Sequence, residues 1–81
     1  MYDKLIRFPA VCEARGRGRA STYNDIRDGL FPPPVRTGPN TVGWPDAEVR
    51  AINAARIAGK SNDEIRALVT QLITDRQKVA A

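Results

Sequence analysis

Arg15, Arg17 and Arg19 fall within a five-residue stretch that contains no acid, and Ser21, Thr22, Tyr23, Asn24 and Arg27 follow closely behind. A guanidinium is a planar fork of donors that matches guanine O6 and N7 or a phosphate, and an Asn amide matches adenine N6 and N7 in the same way. These residue types in this density suit the reading of a nucleic acid. Arg19 and Asn24, with help from Ser21, are placed to read base edges. Arg15 and Arg17, together with Arg36 and Asn40 further along, need only charge and polarity and suit phosphates. Thr22 and Tyr23 read as the core edge of the same segment, with the Tyr hydroxyl free to reach a phosphate. A solvated basic loop is the alternative for such a run.

Other chemistries have little to work with. The chain has no histidine and one cysteine, so a zinc centre is not expected, and an intrachain disulfide and a Ser-His-Asp set are excluded. There is no Gly-rich phosphate loop beyond a two-glycine turn and no paired-carboxylate cleft. An enzyme, a cofactor and a small-molecule substrate are therefore not expected. Thirteen Lys and Arg against nine Asp and Glu give a formal charge of +4, which favours a polyanionic partner. The excess is uneven: residues 1–43 carry seven cations and four anions, and residues 44–81 carry six and five. With 42% apolar residues in 81, one compact domain is the ceiling. No signal-like apolar segment or run near 18 apolar residues occurs, so no membrane association and a cytoplasmic location are expected.

The elements that must position the basic residues follow from punctuation and periodicity. Phe8 to Arg15 reads as a short helix opened by Pro9, with Phe8, Val11 and a buried Cys12 on its inner face. Gly16-Arg17-Gly18 supplies two residues able to adopt positive φ and turns the chain. A second helix over about 19–28, ended by Gly29, has Tyr23, Ile26 and Leu30 as its inward stripe and points Ala20, Ser21, Asn24 and Asp28 outward, with Asp25 and Arg27 on the flanks. Phe31-Pro32-Pro33-Pro34 must run extended. Val35 to Trp44 then reads as a hairpin around Gly38-Pro39-Asn40, with Val42 and Trp44 sharing a face and Trp44 anchoring it. Pro45-Asp46-Ala47-Glu48 opens a third helix whose stripe is Val49, Ile52, Asn53, Arg56 and Ile57, ended by Gly59. Ser61-Asn62-Asp63-Glu64 is a capping box, and Ile65, Leu68, Val69, Leu72 and Ile73 form the stripe of a fourth helix.

Helix, glycine turn, helix, proline link, hairpin, helix is the order of a winged helix-turn-helix. The fold expected is mainly α with a small β-hairpin, a winged helix-turn-helix plus an additional C-terminal amphipathic helix. Pro9, Gly16, Arg19, Ser21 and Tyr23, then Gly29 to Arg36, Gly38-Pro39, Val42 to Pro45 and Glu48-Val49, together resemble the AlpA family of prophage regulatory proteins, which are similar to MerR-type and excisionase-type domains. The resemblance runs from Leu5 to Val49, a little over half the chain. It implies site-specific binding of double-stranded DNA, with the helix of about 19–28 in the major groove and the wing of about 35–44 beside the phosphates. It puts Arg19, Ser21, Thr22, Tyr23 and Arg36 at the contact. The chain departs from the family where Arg17 and Gly18 replace a leucine and a serine cap, where Asn24 replaces a basic residue, and near Asn40, where a basic residue is usual.

The chain divides at sequence level into residues 1–59, the DNA-binding domain, and residues 60–81, a helix that packs back on the domain or pairs with its copy in a homodimer. A transcriptional regulator of a prophage or mobile element is the function expected. An excisionase that bends DNA, and a protein-interaction module built on the last helix, are the alternatives.

Overall fold

A computed structural model describes residues 4–80, with side chains up to Lys78. In chain order the elements are β1 (Leu5–Ile6), α1 (Phe8–Arg15), α2 (Arg19–Arg27), β2 (Val35–Gly38), β3 (Thr41–Pro45), α3 (Asp46–Ile57) and α4 (Asn62–Ala80). Pro9 lies in the first turn of α1, where its missing donor costs nothing. Gly16 stops the helix at φ 68°, and the N–H groups of Gly16 and Arg17 close back onto the carbonyls of Glu13 and Cys12. Gly18 has φ −75° and serves as the N-cap of α2. Only one of the two turn glycines therefore uses positive φ.

The expected hairpin is present but belongs to a three-stranded antiparallel sheet ordered β1-β3-β2. The two residues of β1 pair with the end of the wing, Leu5 opposite Pro45 and Ile6 opposite Trp44. On the other side Val35 faces Gly43 and Arg36 faces Val42, with an irregularity before the Gly38 and Thr41 pair. Gly43 sits where β1 and β2 both press on β3. A Cβ there would lie 3.2 Å from the Ile6 carbonyl oxygen and 3.4 Å from Thr37 Cγ2. Pro45 ends β3 and is the N-cap of α3 rather than its first helical residue. The first free N–H of α3, on Asp46, is taken by the Lys4 carbonyl at 2.7 Å.

Phe8, Val11, Leu30, Phe31, Trp44, Val49, Ile52, Ile65 and Val69 make one core. Trp44 is its centre. The ring lies 5.5 Å from Phe8 and 6.5 Å from Phe31 between centroids, and the indole N–H donates to the Pro32 carbonyl at 2.9 Å, so the one buried polar atom of the side chain is satisfied. Val42, two residues before Trp44 on the same strand, is exposed, because it lies beyond the core on the wing. Cys12 is partly buried against the core.

The capping box forms as the spacing predicts. The Ser61 N–H donates to Glu64 Oε1 at 3.0 Å and the Glu64 N–H donates to Ser61 Oγ at 3.2 Å. The Ser61 N–H first, then the Ser61 hydroxyl, hold the Glu64 carboxyl below its ordinary value against desolvation, with a lesser contribution from the Lys60 ammonium. From this start α4 lies along α3. Ile65 and Val69 are buried, Leu68 and Leu72 pack at the edge of the core, and Ile73 is exposed. Near the other end Arg76 grips Glu48 with both arms of its fork, at 2.9 and 2.6 Å, and donates to the Pro33 carbonyl at 2.8 Å.

Candidate nucleic-acid interface

The basic run divides between the inside and the outside of the fold. Arg15, the last residue of α1, points inward with its side chain 2% exposed and is ion-paired with Asp25 of α2. It also donates to Thr22 Oγ1 at 2.9 Å and stacks 4.3 Å from the Phe31 ring centroid. Thr22, fully buried, passes its own hydroxyl hydrogen to the Gly18 carbonyl at 3.0 Å. The inner face of α2 is thus Thr22, Asp25, Ile26 and Leu30, in place of the expected Tyr23, Ile26 and Leu30. Burial of a guanidinium from α1 demands a carboxylate and a hydroxyl opposite it, and this rotates α2 so that Tyr23 faces out. Arg15 and Thr22, both assigned to the contact on sequence grounds, present no side chain to a partner in this arrangement.

The other candidates lie at the surface. Arg17 Nε sits 3.2 Å from Asp25 Oδ2 with the side chain 46% exposed, so the carboxylate that holds Arg15 also steadies the turn. Tyr23 is 55% exposed, its ring 4.8 Å from Phe8. The Arg19 guanidinium lies over the same Phe8 ring at 5.0 Å. Phe8 therefore fixes two side chains of α2 from below. Asn24 and Arg27 are exposed and Ser21 is partly buried. Among the described residues Arg27 reaches only its neighbour Asp28, at 3.2 Å, a pair too exposed to hold it firmly.

The N-terminus of α2 is chemically open. It has no side-chain cap and no acid in its first turn, so its free N–H groups and the positive end of the helix dipole meet solvent between Arg17 and Arg19. On the wing, Arg36 is exposed and donates to the Pro39 carbonyl at 3.2 Å, and Asn40 is exposed at the turn. Arg7 adds to these. The antiparallel pairing of β1 carries the chain toward the wing side at Arg7, which is exposed and has no ion pair among the described residues. A cation ahead of the first helix carried no signal in the sequence, because only the pairing of β1 with β3 brings it beside the wing.

Among the described residues no three or more His, Cys, Asp or Glu gather as a metal site, and no helix is long and apolar enough to cross a membrane.

Residues 4–57 match the family described as prophage CP4-57 regulatory protein, AlpA. A protein of Enterobacteria phage P4, named uncharacterized protein ORF88, is 41% identical over 58 residues, which is 72% of this chain and 66% of that protein. The match thus spans just under two thirds of that relative's length. No solved structure matches. The matched segment runs from β1 through α3 and takes in every element of the surface described above, and the chain belongs to the AlpA family of prophage regulatory proteins.

Proposed function

We propose that this chain is a site-specific binder of double-stranded DNA that regulates a phage or prophage element from the cytoplasm, with the N-terminal turn of α2 in the major groove and the β2–β3 wing on the adjacent backbone. The observation that carries this reading is the uncapped, acid-free start of α2 between Arg17 and Arg19. Such a terminus is a ready anion site, and it is the end that a recognition helix presents to DNA. Asn24 and Arg19 read base edges, with Ser21 in support. Arg7, Arg17, Arg27 and Arg36 meet phosphates, and Tyr23 and Asn40 line the flanks.

The test is equilibrium binding to a duplex selected from a random pool, repeated across salt concentrations. With about five phosphates neutralised, log K against log salt falls with a slope near −4 to −5. A slope near zero overturns the reading. On the selected site Asn24→Ala loses roughly 1–3 kcal/mol and leaves random duplex unaffected, whereas Arg17→Ala weakens both alike.

A further inference from the structure

Behind the turn, the end of α1 and the second half of α3 leave an open groove lined by Ala14, Arg15, Arg17, Ile52, Asn53, Arg56 and Ile57. We propose that this groove docks an acidic amphipathic segment of another protein, an apolar side chain entering between Ala14 and Ile57 while a carboxylate meets Arg56. The reading goes beyond DNA binding, since it gives the chain a second partner on a different set of residues.

The space is about 310 Å³ and open to solvent, room for one or two side chains of a docked helix. Its chemistry is mixed in a way that DNA does not use. Ala14 and Ile57 are exposed, Ile57 at 87%, and an aliphatic floor offers nothing to a phosphodiester. Charge selects the partner's sign. No acid lines the groove, and Arg56 is exposed with no carboxylate within ion-pair distance among the described residues. Arg50 of the same helix, by contrast, pairs with Asp46 at 3.5 Å. Asn53 spends its amide N–H on the Ala14 carbonyl at 3.0 Å, which braces α1 against α3. Its own amide oxygen remains an acceptor for the docked segment.

The probe is a synthetic helical peptide with Leu at positions i, i+3, i+4 and i+7 and Glu elsewhere, titrated into the isotopically labelled full chain and followed by backbone amide shifts. Saturable shifts confined to Ala14, Ile52, Asn53, Arg56 and Ile57 are expected. Arg56→Glu, Ile57→Glu, or Lys for Glu in the peptide should each weaken binding about tenfold or more. Both substituted residues are exposed, so the amide spectrum of each variant reports directly that the fold is kept. No saturation by about 1 mM peptide, equal binding of the Lys peptide, or shifts centred on Arg19 to Asn24 instead would each overturn the proposal. So would movement of the groove signals on adding duplex DNA alone, which assigns the groove to the nucleic acid, or on raising the protein concentration alone, which assigns it to a second copy. No DNA enters the peptide arm, so its failure and a failure of the DNA reading are distinguishable.

Discussion

Asp25 is one carboxylate serving two arginines, and it decides which of them reaches the surface. Its partner Arg15 is almost fully enclosed, while Arg17 leans on it from the rim. Removing one member of a buried pair leaves the other charge uncompensated, which is more costly than never having built the pair. Asp25→Asn keeps the shape and removes the charge, and should destabilise the fold by about 3–5 kcal/mol in urea unfolding. A loss under about 1 kcal/mol would mean that Thr22 and the Phe31 ring suffice for Arg15. The same pair explains what the sequence concealed at this scale. In an acid-free run, Arg15, Arg17 and Arg19 look equivalent, and the acid that separates them stands ten residues beyond Arg15. A helical wheel likewise sends the larger, more apolar Tyr23 inward ahead of Thr22 and Asp25, because it weighs each side chain alone and knows nothing of a guanidinium arriving from another helix.

The helix-turn-helix turn contains two glycines with different work to do, and one substitution made at each separates them. Gly16 has φ 68°, and a Cβ added there would meet nothing within 4 Å, so its need is conformational and not steric. Gly16→Ser should cost about 1–2 kcal/mol in thermal or urea unfolding. Gly18, at φ −75°, caps α2 without a side-chain oxygen, and Gly18→Ser should gain a few tenths of a kcal/mol. Equal effects at the two positions would refute this division. The start of α4 carries a pH dependence of known sign. Because Glu64 titrates lower folded than unfolded, its contribution is complete above the ordinary glutamate value and is lost as pH falls through the lowered one. In acid titrations, Glu64→Gln should remove that part of the pH dependence, whereas Ser61→Ala, which keeps the backbone N–H, should remove only the share of the hydroxyl. Elements with local signals were legible: Pro9, the glycine turn, the Ser61 to Glu64 box and the Gly38-Pro39-Asn40 turn each act within a few residues. Strand β1 was not, since two residues have no period and their partners, Trp44 and Pro45, lie 38 and 40 positions away. Ile57 falls at helical spacing with Val49 and Ile52 yet is exposed, because periodicity marks a face without saying how far along it the neighbouring element reaches.

At the scale of the molecule, α4 behaves as part of the core and not as a tail. Ile65 is fully buried and Val69 nearly so, in the cluster that also holds Trp44, Val49 and Ile52. Arg76 ties the far half of the helix to Glu48 and to the proline link that precedes the wing. The helix, the link and the start of α3 are therefore held at one point by a buried carboxylate, 8% exposed at its side chain. A small domain has only about 5–15 kcal/mol to lose, so a cavity at Ile65 should be felt everywhere. Ile65→Ala should cost about 3 kcal/mol and lower Tm by roughly 12–24 °C, while Ile73→Ala, partly in solvent, should change little. Two probes follow the same melt: fluorescence of Trp44, the single tryptophan, reports the core beside the wing, and far-ultraviolet dichroism reports all four helices. Both transitions should move together in Ile65→Ala. If helicity is lost at lower temperature while Trp44 keeps the wild-type midpoint, α4 melts as an appendage, and residues 4–59 hold the recognition surface without it. If both shift equally, the orientation of α2 and the wing depends on a helix outside the matched family segment.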